Sequence, residues 1–94
     1  MDVSIIIRAY NSEETIDRAV ESALNQDFSG SFEIIIVNDG SKDGTARRVD
    51  ALAFHAKIRV IHQENQGAVC AANAGFREAL GTFVPLLDAD DEHL

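Results

Sequence analysis

The stretch Phe32-Glu33-Ile34-Ile35-Ile36-Val37-Asn38-Asp39-Gly40-Ser41 decides the fold. Phe32 to Val37 is a β-branched run of strand length, and it ends abruptly in small polar residues that favour a turn. Working outward, Val3 to Ile7 and Ile58 to Ile61 repeat the type, as does Phe83 to Leu87 with Pro85 inside it. Such runs are expected to be strands covered on both faces.

Helical periodicity fills the intervals. Ile16, Ala19, Val20, Ala23 and Leu24 form a stripe suited to a sheet, followed by a weaker one at Ala46, Val49 and Ala53. A third stripe is expected at Val69, Ala72, Phe76, Ala79 and Leu80. Asn11 with Glu14 resembles a capping box that opens the first helix. Gly30 and Ser31 end the first helical connection and Gly81 the third, with no repeat, low-complexity tract or linker between. The order β-α-β-α-β-α-β implies an α/β fold of three layers: a mostly parallel sheet, right-handed crossovers and helices on both faces.

Composition sets outer limits. The chain has 94 residues, 46% of them hydrophobic, which suits one domain, residues 1–94, with a small core. Sixteen acidic residues against eight basic ones give a net charge of -8, which repels a phosphate backbone and argues against a nucleic-acid partner. A small phosphorylated ligand remains compatible if a divalent cation stands between it and the carboxylates. The single cysteine, Cys70, forms no internal disulfide, is expected to be a small buried hydrophobe, and fits a reducing, cytoplasmic location. No apolar stretch approaches the ~20 residues that span a bilayer.

In a parallel sheet of this type ligands lie beyond the carboxyl ends of the strands. Those ends carry Arg8-Ala9-Tyr10-Asn11, Asn38-Asp39-Gly40-Ser41, His62-Gln63-Glu64-Asn65-Gln66-Gly67 and Asp88-Ala89-Asp90-Asp91. The opposite edge, with Gly30, Ser31, Lys57 and Gly81, is expected to be chemically plain. An aromatic, several amides and separated carboxylates suit a base, a ribose and a metal. Two unit charges ~5 Å apart repel by about 3 kcal/mol at an effective dielectric near 20, so Asp88, Asp90, Asp91 and Glu92 want a cation if they are held in a cleft, whereas a solvated acidic turn needs none. Their hard oxygens suit Mg²⁺ or Mn²⁺.

Other sites on the same topology are excluded. No G-x-G-x-x-G follows the first strand, no G-x-x-x-x-G-K-[ST] occurs, and the first strand lacks the trailing acidic pair of a phosphoacceptor domain. His55, His62 and His93 lack metal-ligand spacing and are expected at the surface or in the tail.

Four motifs carry a resemblance: Val3 to Ile7 leading to Tyr10-Asn11; Ile35 to Thr45 with Asn38-Asp39-Gly40-Ser41; Asn65-Gln66-Gly67 with Asn73-Ala74-Gly75; and Leu87-Asp88-Ala89-Asp90-Asp91. In this order, along essentially the whole chain, they resemble family 2 glycosyltransferases of the GT-A fold, here their Rossmann-like half. The resemblance implies the donor-binding portion of an inverting enzyme that transfers a sugar from a nucleoside-diphosphate sugar, with a UDP-sugar favoured, to an acceptor hydroxyl. It implies that Asp39 accepts from the base ring, that Asp88 approaches the ribose, and that Asp90 with Asp88 holds Mg²⁺ or Mn²⁺ in a DXD motif. It also implies that the catalytic base and acceptor site lie downstream of Leu94, so that the chain alone is inactive. The parent is expected to be bacterial, to act in polysaccharide or glycolipid synthesis on a saccharide or lipid-linked acceptor, and to work at the inner face of the membrane.

Plainer roles stand beside these. Tyr10 suits stacking on a base, whereas Asn11 serves equally as a helix cap. Asp39-Gly40 is also an ordinary turn, and Asp43 is expected to cap the next helix. Gly67 either admits a ligand close to the backbone or simply starts a helix. Asn73 and Gly75 are expected to pack the third helix on the sheet. Two positions depart from the family pattern: Arg8 stands where proline is usual, and Ala72 stands where the third helix usually carries an arginine.

A competing reading from another class is a non-catalytic α/β domain kept for protein association. The run Phe83 to Leu87 is expected at a sheet edge, where exposed strand groups favour self-association although Pro85 removes one donor.

Overall fold

The structure is a computed structural model and describes residues 2–25 and 30–89. The elements are β1 (Val3–Ala9), α1 (Ile16–Leu24), β2 (Phe32–Asp39), α2 (Thr45–Leu52), β3 (Ile58–Gln63), α3 (Ala68–Glu78) and β4 (Leu86–Asp88). The four strands form one parallel sheet in the order β3-β2-β1-β4. Each apolar run named from the sequence contributes a strand, although β4 is reduced to Leu86–Asp88, with Phe83 joined to Val3 by an isolated bridge.

The chain steps outward from β1 to β2 and β3, then crosses back to place β4 on the other side of β1. Crossovers of one hand that run in opposite directions put their helices on opposite faces. Thus Ile16, Ala19, Val20 and Ala23 of α1 and Val49 of α2 pack with Ile5, Ile7, Ile34 and Ile36 on one face. Ala71 and Ala74 of α3 pack with Ile6, Ile35 and Val37 on the other. Strand alternation assigns every side chain between these two layers.

α1 buries its expected stripe, but it does not open on Asn11. Thr15 is the N-cap residue and makes no side-chain cap bond; the Ser12 carbonyl accepts from Thr15 N and Ile16 N at 3.1 and 2.8 Å. The Asn11 amide instead accepts from Lys42 N at 2.8 Å, across the gap to the loop after β2. α2 buries Val49 with Thr45, while Ala53 is exposed beyond its end.

α3 corrects the third stripe. Ala72 is buried, but Val69, Phe76 and Leu80 are exposed, and the face laid on the sheet is Ala71, Ala74 and Gly75. Close approach explains this choice: a Cβ built on Gly75 would lie 2.5 Å from Ile6 Cγ2, so only small residues fit against the sheet. Gly75 therefore packs as expected, whereas Asn73 points away and is exposed. Cys70 is exposed too, against the expectation of a buried thiol. Size, rather than hydrophobicity, selected the buried side.

Nor is the amino-terminal edge of the sheet plain. Glu33, at 4% exposure, accepts from Ser4 Oγ at 2.6 Å, from Arg59 Nε and Nη2 at 3.0 and 2.8 Å, and from Leu80 N at 2.9 Å. Ser4 in turn accepts from Gly81 N at 2.7 Å, and Arg59 donates to the Glu78 carbonyl at 2.6 Å. A pocket of about 410 Å³ opens beside this network between Phe32, Lys57 and Leu80. Isolated strand runs do not reveal it, because Ser4, Glu33 and Arg59 come from three different strands.

Candidate functional site

The reversal of direction at β1 puts the switch point of the sheet between the carboxyl ends of β1 and β4, the position where open α/β sheets take ligands. Arg8 and Asp88 are in register across it, and Ala89 N donates to the Arg8 carbonyl at 2.9 Å. Parity along the strands places Arg8 on the same sheet face as Ile6, and Asp39 on that of Ile35 and Val37, both toward α3. The amino-terminal end of α3 closes over this corner.

Asp39 is the hub. Its side chain is 0% exposed, Oδ1 accepts from Gln63 Nε2 and Gln66 N, both at 2.9 Å, and Oδ2 accepts from Gly67 N at 3.1 Å. Arg8 Nη2 lies 3.6 Å from Oδ2. Burial pushes the Asp39 carboxyl up, but the Gln63 amide, the Gln66 and Gly67 N–H groups and the Arg8 charge outweigh it and hold it below its ordinary value. The carboxylate is therefore ionised and accepts hydrogen bonds only. Asn65 Nδ2 adds a bond to the Asp39 carbonyl at 3.1 Å.

Gly67 is the N-cap residue of α3 with φ 91° and ψ 169°, a conformation open essentially to glycine alone. Nothing lies within 4 Å of a Cβ built there, so the surroundings leave space and only the backbone demands glycine. Its N–H is aimed at Asp39, which fixes how the helix begins.

Tyr10 follows β1, is half-buried, and presents its ring 5.7 Å from Arg8 Cζ. This is cation–π range. Asn11 is exposed with φ 48°; its N–H donates to Ser41 Oγ at 3.0 Å while its amide holds Lys42. Ser12 N donates to Thr45 Oγ1 at 2.8 Å, and Gly44 N donates to Glu13 Oε1 at 3.1 Å. Asp43 accepts from the Thr45 hydroxyl and backbone N–H and from Glu13 N, and these bonds, led by the hydroxyl, hold its carboxyl low. The loops after β1 and β2 are thus laced into one rim, in which Asp43 organises the start of α2.

The structure brings Arg8, Tyr10, Asp39 and Gly67 to one corner, with Asn11 in the rim and the Asp88 backbone at the end of β4. Asp90 and Asp91 lie outside the described residues. Among the described residues, no three His, Cys, Asp or Glu side chains form a group able to hold a metal ion. Gln63 and Gln66, quoted above within a strand-end run and, for Gln66, within Asn65-Gln66-Gly67, are members of the hub to which the sequence reading gives no role. Counting alternate residues from Ile6, Val37 and Ile61 would have placed Arg8, Asp39 and Gln63 on one face; the Gln66 backbone contact leaves no sequence signal. His62 is exposed as expected, but it bridges Asn38 Nδ2 at 3.0 Å and Asp50 Oδ1 at 2.7 Å. No helix among the described residues is long and apolar enough to cross a membrane.

Known proteins share this fold. The chain is 43% identical over 90 residues to the uncharacterized glycosyltransferase EpsJ of Bacillus subtilis, a match covering 95% of the chain and 26% of EpsJ. It is likewise 43% identical over 90 residues to a chondroitin synthase of Escherichia coli, covering 95% of the chain and 13% of that protein. The chain thus spans about a quarter or less of these relatives. Among solved structures, S. aureus TarS 1-349 in complex with UDP-GlcNAc matches with a TM-score of 0.86 and 33% identity, over 98% of this chain and 27% of that one. The mannosyltransferase PcManGT from Pyrobaculum calidifontis, in complex with GDP-Man and Mn²⁺, matches with a TM-score of 0.87 and 28% identity, over 96% of this chain and 28% of that one. These neighbours are GT-A glycosyltransferases, so the sheet and helices described above are the corresponding part of a GT-A fold. The family model described as Glycosyl transferase family 2 matches residues 4–94, and the chain belongs to that family.

Proposed function

We propose that the chain is the donor-binding part of an inverting glycosyltransferase that uses a nucleoside-diphosphate sugar, with a UDP-sugar favoured. The observation that carries this reading is the corner at the carboxyl ends of β1 and β2, where an aromatic ring, a guanidinium and a buried ionised carboxylate adjoin the switch point beside β4. Tyr10 offers a face for a base, Asp39 and Gly67 shape the pocket, Asn11 holds its rim, and Asp88 lies nearest the ribose. Its support from relatives is the UDP, UDP-GlcNAc and GDP-Man complexes of the structural neighbours.

In the proposed reaction an acceptor hydroxyl of a saccharide or lipid-linked acceptor attacks the anomeric carbon. A C–O bond forms there, the bond to the diphosphate breaks, a carboxylate base takes the hydroxyl proton, and the nucleoside diphosphate leaves with the electron pair. The base is assigned to a carboxylate of the parent protein rather than to a residue of this corner. Asp88 and Asp90 supply hard oxygen donors suited to Mg²⁺ or Mn²⁺, which when bound neutralises diphosphate charge.

Calorimetric titration with UDP, with and without Mn²⁺, tests the reading. Saturable binding that Asp39→Ala abolishes is the expected result; absence of binding by the folded chain rejects it. Self-association belongs to the same proposal: β4 is an edge strand, and Phe83 and Leu86 are exposed on or beside it. Sedimentation velocity giving only monomer at high concentration would remove that part.

A further inference from the structure

We propose that His62 is a proton-sensitive latch on the loop after β2: neutral, it fixes the Asn38 amide so that Ser41 N is held; protonated, it turns that amide over and releases Ser41. The inference rests on the chain's own hydrogen bonds and goes beyond the nucleotide-binding reading above, which it does not need.

Asn38 lies near the carboxyl end of β2, is 5% exposed, and meets Ser41 on one side of its amide and His62 on the other. A backbone N–H only donates, so the amide oxygen belongs on the Ser41 side, where Oδ1 accepts from Ser41 N at 3.3 Å. That orientation turns Nδ2 toward His62 Nδ1 at 3.0 Å, and an amide NH₂ also only donates. His62 Nδ1 is therefore the bare, accepting nitrogen. The ring proton sits on Nε2, which donates to Asp50 Oδ1 at 2.7 Å. One direction of donation thus runs from Ser41 through Asn38 and His62 to Asp50, linking β2, β3 and α2.

A second ring proton reverses the Asn38 end of this chain. An imidazolium donates from both nitrogens, so Nδ1–H then faces the Asn38 NH₂, donor against donor. Asp50 gains by the change, because its bond to Nε2 becomes charge-assisted, and it keeps the ring in place. Among the described residues Asp50 is the only ion-pair partner of the ring: on α2 Arg48 is turned to Asp17 and Arg47 is exposed, on β2 Asn38 is uncharged, and Glu64 beyond β3 is exposed. Asn38 is too buried to turn its amide to water, so the mismatch is relieved by reversal, which gives Oδ1 to Nδ1–H and sets Nδ2 against Ser41 N. Ser41 Oγ accepts from Asn11 N at 3.0 Å, and Asn11 Oδ1 holds Lys42 N at 2.8 Å. Release of Ser41 N therefore loosens the lacing between the loops after β1 and β2. Imidazole is the side chain that changes charge between about pH 5 and about pH 8, so the latch works in the physiological range.

The test is nuclear magnetic resonance of the nitrogen-labelled chain between about pH 8 and about pH 5, in the wild type, His62→Gln and Asn38→Asp, with folding checked by circular dichroism. At the basic end the ring-nitrogen shifts should show the His62 proton on Nε2. On acidification the Ser41 amide shift should follow the His62 ring with the same midpoint. Exchange of the Ser41 amide, corrected for the intrinsic effect of pH, should become about 3–10-fold faster once His62 is charged, as one lost hydrogen bond implies. His62→Gln takes up no proton and should keep the corrected exchange constant, which also separates His62 from His55 and His93. Asn38→Asp offers an acceptor to both Nδ1–H and Ser41 N, so His62 should still titrate while Ser41 no longer follows. It serves as the test if the glutamine variant fails to fold. A Ser41 amide that ignores the His62 titration in the wild type overturns the proposal. So does a neutral His62 with its proton on Nδ1, or a Ser41 response that persists in His62→Gln.

Discussion

The α3-facing side of the sheet carries a buried carboxylate at each end, both on β2. Glu33 and Asp39 each bind a side chain from a neighbouring strand, backbone N–H groups at one end of α3, and an arginine. They differ in how the arginine is held. Arg59 makes two short bonds to Glu33 and a third to the Glu78 carbonyl, tying the carboxyl end of α3 to the sheet. Arg8 stands off at 3.6 Å from Asp39, at the end of the sheet where the strand order reverses. The comparison teaches that similar chemistry holds an arginine closely against Glu33 at one end of the sheet and at a longer distance from Asp39 at the other, where the strand order reverses.

The largest expected effect is at the Asp39 end. Asp39→Ala leaves the Gln66 and Gly67 N–H groups without their acceptor and takes the Asp39 charge from beside Arg8, and should destabilise the fold by about 3–5 kcal/mol. Chemical denaturation measures this, and a loss below about 1 kcal/mol would show that water replaces the carboxylate freely. Glu33→Gln should cost about 1.5–3 kcal/mol through its charged hydrogen bonds. Nucleotide affinity of the folded fraction should be unchanged, and a parallel fall in affinity would erase the contrast between the two ends.

Gly67→Ala sharpens the contrast further. Its positive φ makes the substitution cost about 1–3 kcal/mol although no atom obstructs the methyl. Hydrogen exchange in the variant should quicken at the backbone amides of positions 66 and 67 more than at those of Leu80 and Gly81; uniform acceleration would mean that α3 opens as one unit.

Acid should act on both ends together. Glu33 and Asp39 have folded-state values below their ordinary 4.5 and 3.8. Burial raises both, and hydrogen bonds with the arginine charges bring both down further. Between the lowered and ordinary values the unfolded chain binds more protons, so stability rises with pH there. The contribution should be complete above about pH 4.5 and lost as pH falls through the folded values; a melting temperature flat from about pH 5 to about pH 3 would contradict it. The smallest effect belongs to the surface pair Arg48–Asp17, whose 2.7 Å contact is exposed on both sides. Asp17→Asn should change stability by about 0.2–1 kcal/mol, and a larger loss would make that pair more than a surface contact.

Legibility follows local signal. The β-branched runs and the α1 stripe are plain because period and burial coincide in them, and Asp39 stands out because a strand ends on it. The buried side of α3 is misread because Val69, Phe76 and Leu80 outweigh alanines on any hydropathy count, whereas the sheet admits only what fits beside Ile6. Ser4, Glu33 and Arg59 draw no notice, since a polar residue within an apolar run shows its purpose only when a neighbouring strand supplies its partner.

By itself, then, the sequence determined the order of strands and helices, the polar character of the strand ends and the family to which four motifs point, all properties carried by neighbours along the chain. Only the tertiary structure decided which face α3 buries, how Asp39 is held and where Arg8 stands, because strand register and crossover direction bring together residues whose separation along the chain conceals their contact.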